Sequence, residues 1–256
     1  MSLSDDELAR YARHIVLPQV GGTGQLKLKA AKVAIIGAGG IGSAAIPALA
    51  GAGIASLTIV DDDVVEVTNL QRQTIFRESD VGRGKAELAG AFARALNSDV
   101  EAHAFIERIE TGNASEMLAD HDLVLDGSDN FATRLAVSGA CVALGIPLVS
   151  AAAIQFQGQV GLFRGKPCYR CFVGDAFDAE DCDNCSELGV LGALTGTVGN
   201  FAALLAIRAI VGIGEDAAGK LFLFDGAKLE LGTMNLPPDP GCQVCGGYAA
   251  ISERRS

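Results

Sequence analysis

The sequence contains no tryptophan, only 5% aromatic residues and three histidines among its 256 residues. Basic residues are also in the minority, since 20 lysines and arginines stand against 31 aspartates and glutamates, for a net charge of −11. No basic patch is visible, which argues against general nucleic-acid binding. The acidic N-terminus lacks the apolar run of a signal peptide. We therefore expect a cytoplasmic protein without a nucleic-acid partner.

Three long stretches carry no charge, at residues 33–60, 135–163 and 188–207. Each is long enough to cross a bilayer. Each is also interrupted by glycines, and the first two contain a proline. Fully buried parallel strands and the helices that cover them show the same lack of charge. We therefore favour a protein without a membrane partner, and the 49% hydrophobic content excludes intrinsic disorder.

Residues 32–36 are predicted as a strand, followed by a glycine loop, a helix to about residue 51 and a second strand at 56–60. This order defines a βαβ unit. Further strands are predicted at 100–105, 123–125, 148–152, 155–163 and 220–224, and helices at 85–96, 131–144 and 199–211. We predict one α/β domain over 1–256, with a Rossmann-like, mostly parallel sheet, helices on both faces and a more antiparallel C-terminal half.

The glycine loop indicates a nucleotide site, because Gly37, Gly39 and Gly42 match G-x-G-x-x-G between a strand and a helix. Such glycines allow close backbone approach, and the helix N-terminus attracts phosphate. Asp61 follows Gly42 by 19 residues, where a carboxylate holds a ribose hydroxyl. The pattern does not say which nucleotide binds, so an NAD-dependent oxidoreductase is one alternative.

Residues after Asp61 favour ATP over NAD. Arg72 and Lys85 offer two cations for a triphosphate, and Asp129 follows a strand end where a carboxylate can hold Mg²⁺. A dehydrogenase needs neither a cation pair nor a metal carboxylate, and the three histidines lie in no obvious site loop. A scaffold that binds nucleotide without catalysis is a second alternative.

Six of the seven cysteines form three C-x-x-C pairs, 168/171, 182/185 and 242/245. Two pairs make a tetrahedral four-cysteine zinc site, but spacing does not choose which two, and a redox dithiol is the alternative. Prolines beside the first and third pairs favour those two, whereas the middle pair lies in an acidic run. Cys141 stands alone in a helix, where we expect it to be packed.

Eight short motifs follow one another along nearly the whole chain. They are RYAR at 10–13, GAGGIG at 37–42, NLQRQ at 69–73, VGRGK at 81–85, SDN at 128–130, PCYRC at 167–171, GVLG at 189–192 and PGCQVC at 240–245. Together they resemble the ThiF/MoeB/HesA family, bacterial relatives of ubiquitin-activating enzymes, and the similarity is greatest to its molybdopterin-synthase adenylyltransferase (MoeB) members.

The resemblance implies adenylation of the C-terminal Gly-Gly carboxylate of a small ubiquitin-like sulfur carrier (MoaD/ThiS-like), with release of pyrophosphate, as in molybdopterin or thiamine biosynthesis. It implies zinc on the first and third cysteine pairs, which are Cys168, Cys171, Cys242 and Cys245. It also implies contacts to ATP or Mg²⁺ from the positions Asp61, Asn69, Arg72, Lys85 and Asp129. Together with the glycine loop and neighbouring polar residues, the predicted nucleotide-binding set is Gly37, Gly39, Gly40, Gly42, Asp61, Asp63, Asn69, Arg72, Gln73, Lys85 and Asp129.

The resemblance further implies a homodimer in which Arg13, on an N-terminal helical arm at 1–28, reaches the neighbouring active site. A Ser4-capped helix to about His14 is expected there, with Leu8, Tyr11 and Ile15 docked on a surface. The alternative is that this helix packs on its own chain and Arg13 faces solvent. No rhodanese domain is expected after Cys245, so a separate protein would donate sulfur.

A flexible crossover loop is expected at 174–188, and it contains Cys185. In thiamine-type relatives a cysteine at the matching position bonds covalently to the carrier, so Cys185 is a candidate catalytic residue. Its acidic neighbours would raise rather than lower a thiol pKa, so a bystander is the equal alternative. A disulfide with Cys182 also stays open.

Overall fold

A computed structural model describes residues 2–174 and 189–246, within which eight strands form one mixed sheet. The order across the sheet is β3-β2-β1-β4-β5-β6-β7-β8. Pairing is parallel from β3 to β5 and antiparallel from β5 to β8, which confirms the predicted change of character. The strands are β1 (Lys32–Ile36), β2 (Ser56–Val60), β3 (Glu101–Phe105), β4 (Leu123–Asp126), β5 (Leu148–Ile154), β6 (Gln157–Phe163), β7 (Lys220–Asp225) and β8 (Glu230–Asn235).

Helices cover both faces of the sheet, as predicted. Strand β1 shows why, since Val33 and Ile35 join one apolar cluster while Ala34 and Ile36 join the other. Residues of α3, α4, α5 and α9 line the first cluster, and those of α6, α7 and α8 line the second. The helices are α1 (Asp5–Arg10), α2 (Ala12–Ile15), α3 (Gly21–Ala30), α4 (Gly42–Ala52), α5 (Lys85–Leu96), α6 (Ala114–Leu118), α7 (Phe131–Leu144), α8 (Tyr169–Val173) and α9 (Gly192–Val211).

Helix α9 begins at Gly192, seven residues before the predicted start at 199. A side chain at Gly199 would collide with the Ile41 carbonyl oxygen, so the glycine lets α9 lie directly against the start of α4. Among the described helices, α9 has the length and apolar composition of a membrane span. Half of its most apolar window is buried, against α4, β5 and β6, which accounts for that composition.

The N-terminal arm folds onto its own chain. Ser4 forms the predicted capping box with Glu7. The hydrogen bond from Lys29 lowers the pKa of Glu7 below its usual range. The predicted single helix is wrong, however, because the chain leaves helical geometry at Tyr11 and starts again as α2. Tyr11 is buried and its hydroxyl accepts a 2.8 Å hydrogen bond from Asn97, whereas Leu8 stays exposed.

Two glycines of α9 provide a matched test of its packing. Gly199→Ala should lower the free energy of unfolding by about 1–3 kcal/mol, because the new methyl group overpacks the contact with α4. A Cβ at Gly196 would have no neighbour within 4 Å, so Gly196→Ala should leave the free energy of unfolding unchanged or raise it by up to ~1 kcal/mol. Urea unfolding followed by circular dichroism measures both, and equal effects would contradict the assigned contact.

Candidate active site

The glycine loop joins β1 to α4 and has almost no room for side chains. Gly37 has a φ of +87°, and a Cβ there would lie 3.2 Å from the backbone nitrogen of Ser128. At Gly42 a Cβ would strike the Gly37 carbonyl oxygen, and at Gly40 it would lie 3.1 Å from Thr195. Gly39 differs, since the nearest atom to its Cβ position is the Gln73 amide nitrogen at 3.7 Å. The loop is therefore tightly packed at Gly37, Gly40 and Gly42 and has free space at Gly39.

Asp61 follows β2 and is hydrogen-bonded to this loop. Its Oδ2 accepts from the Ala38 N–H at 2.7 Å, and its Oδ1 accepts from the Asp63 N–H at 2.9 Å. Burial raises the pKa of the Asp61 carboxyl above its usual range, while these two N–H groups and the nearby Lys85 ammonium oppose the rise. The carboxylate thus fixes the loop and keeps lone pairs for another donor.

Lys85, the first residue of α5, is a buried cation held by a carboxylate. Its side chain is 6% exposed, and its Nζ lies 2.8 Å from Oδ2 of Asp63, which is 60% exposed. The same two residues are also joined through the backbone, where the Lys85 N–H donates to the Asp63 carbonyl at 3.0 Å. Asp63 therefore presents the ammonium group beside Asp61.

A turn at residues 69–73 covers the open side of the loop. Asn69 is buried, and its Oδ1 accepts from the Glu66 N–H at 3.1 Å. Arg72 donates to the Thr68 carbonyl at 3.1 Å. Gln73 is also buried, and its Oε1 has no hydrogen-bond partner among the described residues. The Gln73 side chain, whose nitrogen lies near Gly39, thus has a buried acceptor that is suited to a ligand donor or a bound ion.

Asp129 lies just past the carboxyl end of β4 and is exposed. The next residue, Asn130, caps α7 by accepting from the Thr133 N–H at 2.9 Å. The close approach of Gly37 to Ser128 brings this strand end against the glycine loop. An exposed carboxylate at the parallel edge of an α/β sheet is placed to meet a ligand or a cation.

The structure thus gathers most of the predicted nucleotide residues around one loop, and their roles towards a nucleotide stay predictions. Arg13 is not among them. It is exposed on the arm, and the neighbouring Tyr11 ring lies against Gly53, beyond the far end of α4 from the loop. Cys185 lies outside the described residues, as do Cys182 and most of the expected crossover loop.

The first and third cysteine pairs come together as the resemblance implied. The sulfurs of Cys168, Cys171, Cys242 and Cys245 all lie within 4.8 Å of one another. A zinc–sulfur bond of about 2.3 Å gives tetrahedral sulfurs about 3.8 Å apart. The observed 168–242 and 171–245 separations are 3.6 and 3.4 Å, so the donor set fits a metal ion. Cys141 is buried in α7, as expected.

Two buried charged residues near Asp129 escaped the sequence analysis. Asp126 is the last residue of β4, and Arg134 lies in the first turns of α7. A signal was available, because Arg134 is the only charged residue between Asp129 and Arg164. A lone arginine in an apolar helix needs buried acceptors.

The comparisons with known proteins identify the family. The ThiF family matches residues 11–244, and this chain belongs to it. The sulfur carrier protein adenylyltransferase of Thermus thermophilus is 41% identical over 253 residues, covering 96% of this chain and 93% of that protein. The molybdopterin-synthase adenylyltransferase of Escherichia coli is 39% identical over 247 residues, covering 95% and 98%.

Two further relatives extend this picture. The SAMP-activating enzyme E1 of Haloferax volcanii is 42% identical over 247 residues, covering 96% of this chain and 92% of that protein. A crystal structure of Escherichia coli MccB with ATP superposes with a TM-score of 0.82 at 26% identity, covering 93% of this chain and 73% of that one. The fold and the family therefore agree with an adenylyltransferase.

Proposed function

We propose that this protein adenylates the C-terminal Gly-Gly carboxylate of a ubiquitin-like sulfur carrier at the expense of ATP. The observation that carries the proposal is the convergence of Asp61, Lys85 and Asp129 on the glycine loop in a member of the ThiF family. The names of the relatives from Thermus thermophilus and Escherichia coli support the carrier as substrate.

The reaction joins two anions, and the site supplies the charge that this requires. A carboxylate oxygen of the carrier attacks the α-phosphorus of ATP, and the bond to the β-phosphate breaks as pyrophosphate leaves. Negative charge gathers on the leaving group, where Arg72 and Lys85 stabilise it. Asp61 binds the ribose, and the loop amides face the phosphates. Positioning of the two substrates supplies much of the rest.

Mg²⁺ is the expected companion of ATP here, and it would supply charge neutralisation at the phosphates. Asp129 would hold it, because it is an exposed carboxylate beside the loop. Gln73 offers a second oxygen, buried and without a partner among the described residues. Asp63 is engaged with Lys85, so we assign it to holding that cation.

Asp129→Ala should lower carrier-dependent ATP–pyrophosphate exchange by roughly 10²–10³-fold, the size of losing one charge-stabilising group. Asp120→Ala is the matched control, since Asp120 is an exposed aspartate near the opposite end of β4. It should exchange at the wild-type rate. Undiminished exchange in Asp129→Ala would refute the assignment.

Two other functions are separated by the same assay on the wild-type protein. An NAD-dependent oxidoreductase would bind NAD and show no exchange with any carrier. A nucleotide-binding scaffold would bind ATP and be inert. A panel of purified sulfur carriers also distinguishes molybdopterin-type from thiamine-type substrates, and a separate sulfur donor protein would act on the adenylated carrier.

We further propose a homodimer in which Arg13 acts on the partner's site. The arm is fastened to the carboxyl end of α4, where Gln25 donates to the Ala52 carbonyl at 2.9 Å. Asn97 adds an indirect link, because it donates both to the Tyr11 hydroxyl and to the Ala50 carbonyl, each at 2.8 Å. The glycine loop lies at the other end of this helix of eleven residues, which is ~16 Å long. Arg13 is exposed on this arm, near the end of α4 that is remote from its own glycine loop, so delivery in trans is favoured.

Subunit mixing tests the role of Arg13. Arg13→Ala and Asp129→Ala homodimers should each be nearly inactive in pyrophosphate exchange. Mixing them should restore activity, because a mixed dimer has one site with both residues intact. Subunit exchange is verified with differently tagged chains. Exchange of subunits without recovery of activity would place Arg13 in cis or outside the reaction.

We assign the cysteine cluster to structural zinc. Four thiolates at tetrahedral distances form a closed site, and the Asp239 N–H donates to the Cys171 sulfur at 3.4 Å. The cluster joins the end of β6 to the segment after β8. Its thiols must stay reduced to bind metal, which agrees with a cytoplasmic location.

Elemental analysis should find about one zinc per chain, as one four-cysteine site requires. Cys242→Ser should lose the metal and lower the unfolding temperature. Cys141→Ser is the control, since this buried cysteine lies outside the cluster and should keep the zinc. Cys182→Ser and Cys185→Ser should keep it as well. Zinc loss from either of them would show that the pairs are assigned wrongly.

A further inference from the structure

Two buried charges, Asp126 and Arg134, lie beside Asp129 without a role in the site described above. Asp126 is fully buried and Arg134 is 7% exposed. Burying a charge is costly unless hydrogen bonds compensate it. The partners that these two side chains have are therefore informative.

Both side chains hold the same residue, Ser128. Asp126 Oδ1 accepts from the Ser128 N–H at 2.9 Å and from its hydroxyl at 2.7 Å. Arg134 Nη2 donates to the Ser128 carbonyl. A carboxylate thus holds the amide side of Ser128, and a guanidinium holds the carbonyl that leads into Asp129.

Arg134 also ties this segment to the neighbouring strand. Its Nη2 donates to the Ala151 carbonyl at 2.8 Å, and its Nη1 donates to the Ser150 hydroxyl at 3.1 Å. Ser150 pairs with Asp126 across the parallel β4–β5 ladder. The guanidinium fork therefore fixes Ser128 relative to the rigid centre of the sheet.

One feature argues for a role beyond stability. Asp126 Oδ2 is buried without a hydrogen-bond partner among the residues that the structure describes. An unpaired buried carboxylate oxygen costs stability, and such costs concentrate at functional sites. Ser128 is also the residue whose backbone lies against Gly37 of the nucleotide loop.

We propose that Asp126 and Arg134 are positioning residues, which clamp Ser128 and thereby aim the Asp129 carboxylate at Mg²⁺ and the ATP phosphates. This inference rests on the proposed function. Both side chains are buried, so we assign neither of them a contact with the nucleotide. Their effect reaches the reaction through the backbone of Ser128, in the way that outer hydrogen bonds orient metal ligands.

Magnesium dependence of ATP binding provides a readout that a purely structural role would not move selectively. Calorimetry measures ATP affinity in excess magnesium chloride and again in EDTA. Asp126→Ala should weaken binding in magnesium by about 10- to 100-fold, as outer-shell losses do, with a smaller change in EDTA. Asp126→Asn keeps the Oδ1 acceptor for both Ser128 bonds, so its ATP affinity in magnesium should be close to that of the wild type.

Arg134→Lys keeps the charge but loses the fork, so it should shift magnesium dependence in the same direction. Ser138→Ala is the matched control on α7, because the Ser138 hydroxyl is buried and has no partner among the described residues. It should leave both affinities unchanged. If Arg134→Lys does not fold, Ser150→Ala removes one of its acceptors and should give a smaller shift of the same sign.

The outcomes separate this inference from the proposed function. If the clamp variants lose ATP affinity equally in magnesium and in EDTA, or lose none, the positioning role is overturned. The proposed function would still stand if the wild type catalyses pyrophosphate exchange. Magnesium-dependent ATP binding without carrier-dependent exchange in the wild type would overturn the function and leave the clamp measurable. A wild-type protein whose ATP binding ignores magnesium but that still catalyses exchange would overturn the positioning role and leave the function standing.

Discussion

The close approach of backbone to backbone around Gly37 is the constraint on which the site depends. Gly37 lies against Gly127 and Ser128, and Gly42 closes over the Gly37 carbonyl. Because no side chain intervenes, the ends of β1, β2 and β4 converge on one small volume. The Asp61 carboxylate then fixes the loop by accepting the Ala38 N–H. The positions of the candidate nucleotide-binding residues within one chain therefore depend on this backbone packing.

Segments whose structure depends on local pattern were predicted well from the sequence. The predicted and observed bounds coincide for β1, β2, α5 and α7. Strand β8 was missed because all six of its residues are exposed, so no alternation of buried and exposed positions marks it. Helix α3 and the first turns of α9 were missed because both are rich in glycine, which is a poor helix former in isolation.

The candidate site shows the same difference between local pattern and distant contacts. Gly37, Asp61 and Lys85 could be predicted from local patterns and spacing in the sequence. The clamp on Ser128 could not be predicted, because the acceptors of Arg134 come from a loop and a strand that only the folded sheet brings together. The break at Tyr11 also depends on distant residues, because Asn97 and Gly53 form the niche for its ring. Sequence motifs therefore reveal candidate ligand-binding residues more readily than the residues that position them.

The cysteine cluster has a topological consequence. Its two halves are 74 residues apart, and the intervening chain includes α9, β7 and β8. A metal ion held by both halves would close this stretch into a ring. While it stays bound, the restriction of the chain would be worth about 4 kcal/mol on a loop-closure estimate. Helix α9 belongs to this stretch and also lies against the glycine loop, through Thr195 at Gly40. Occupancy of the cysteine cluster by a metal ion would thereby influence the shape of a site that contains no cysteine.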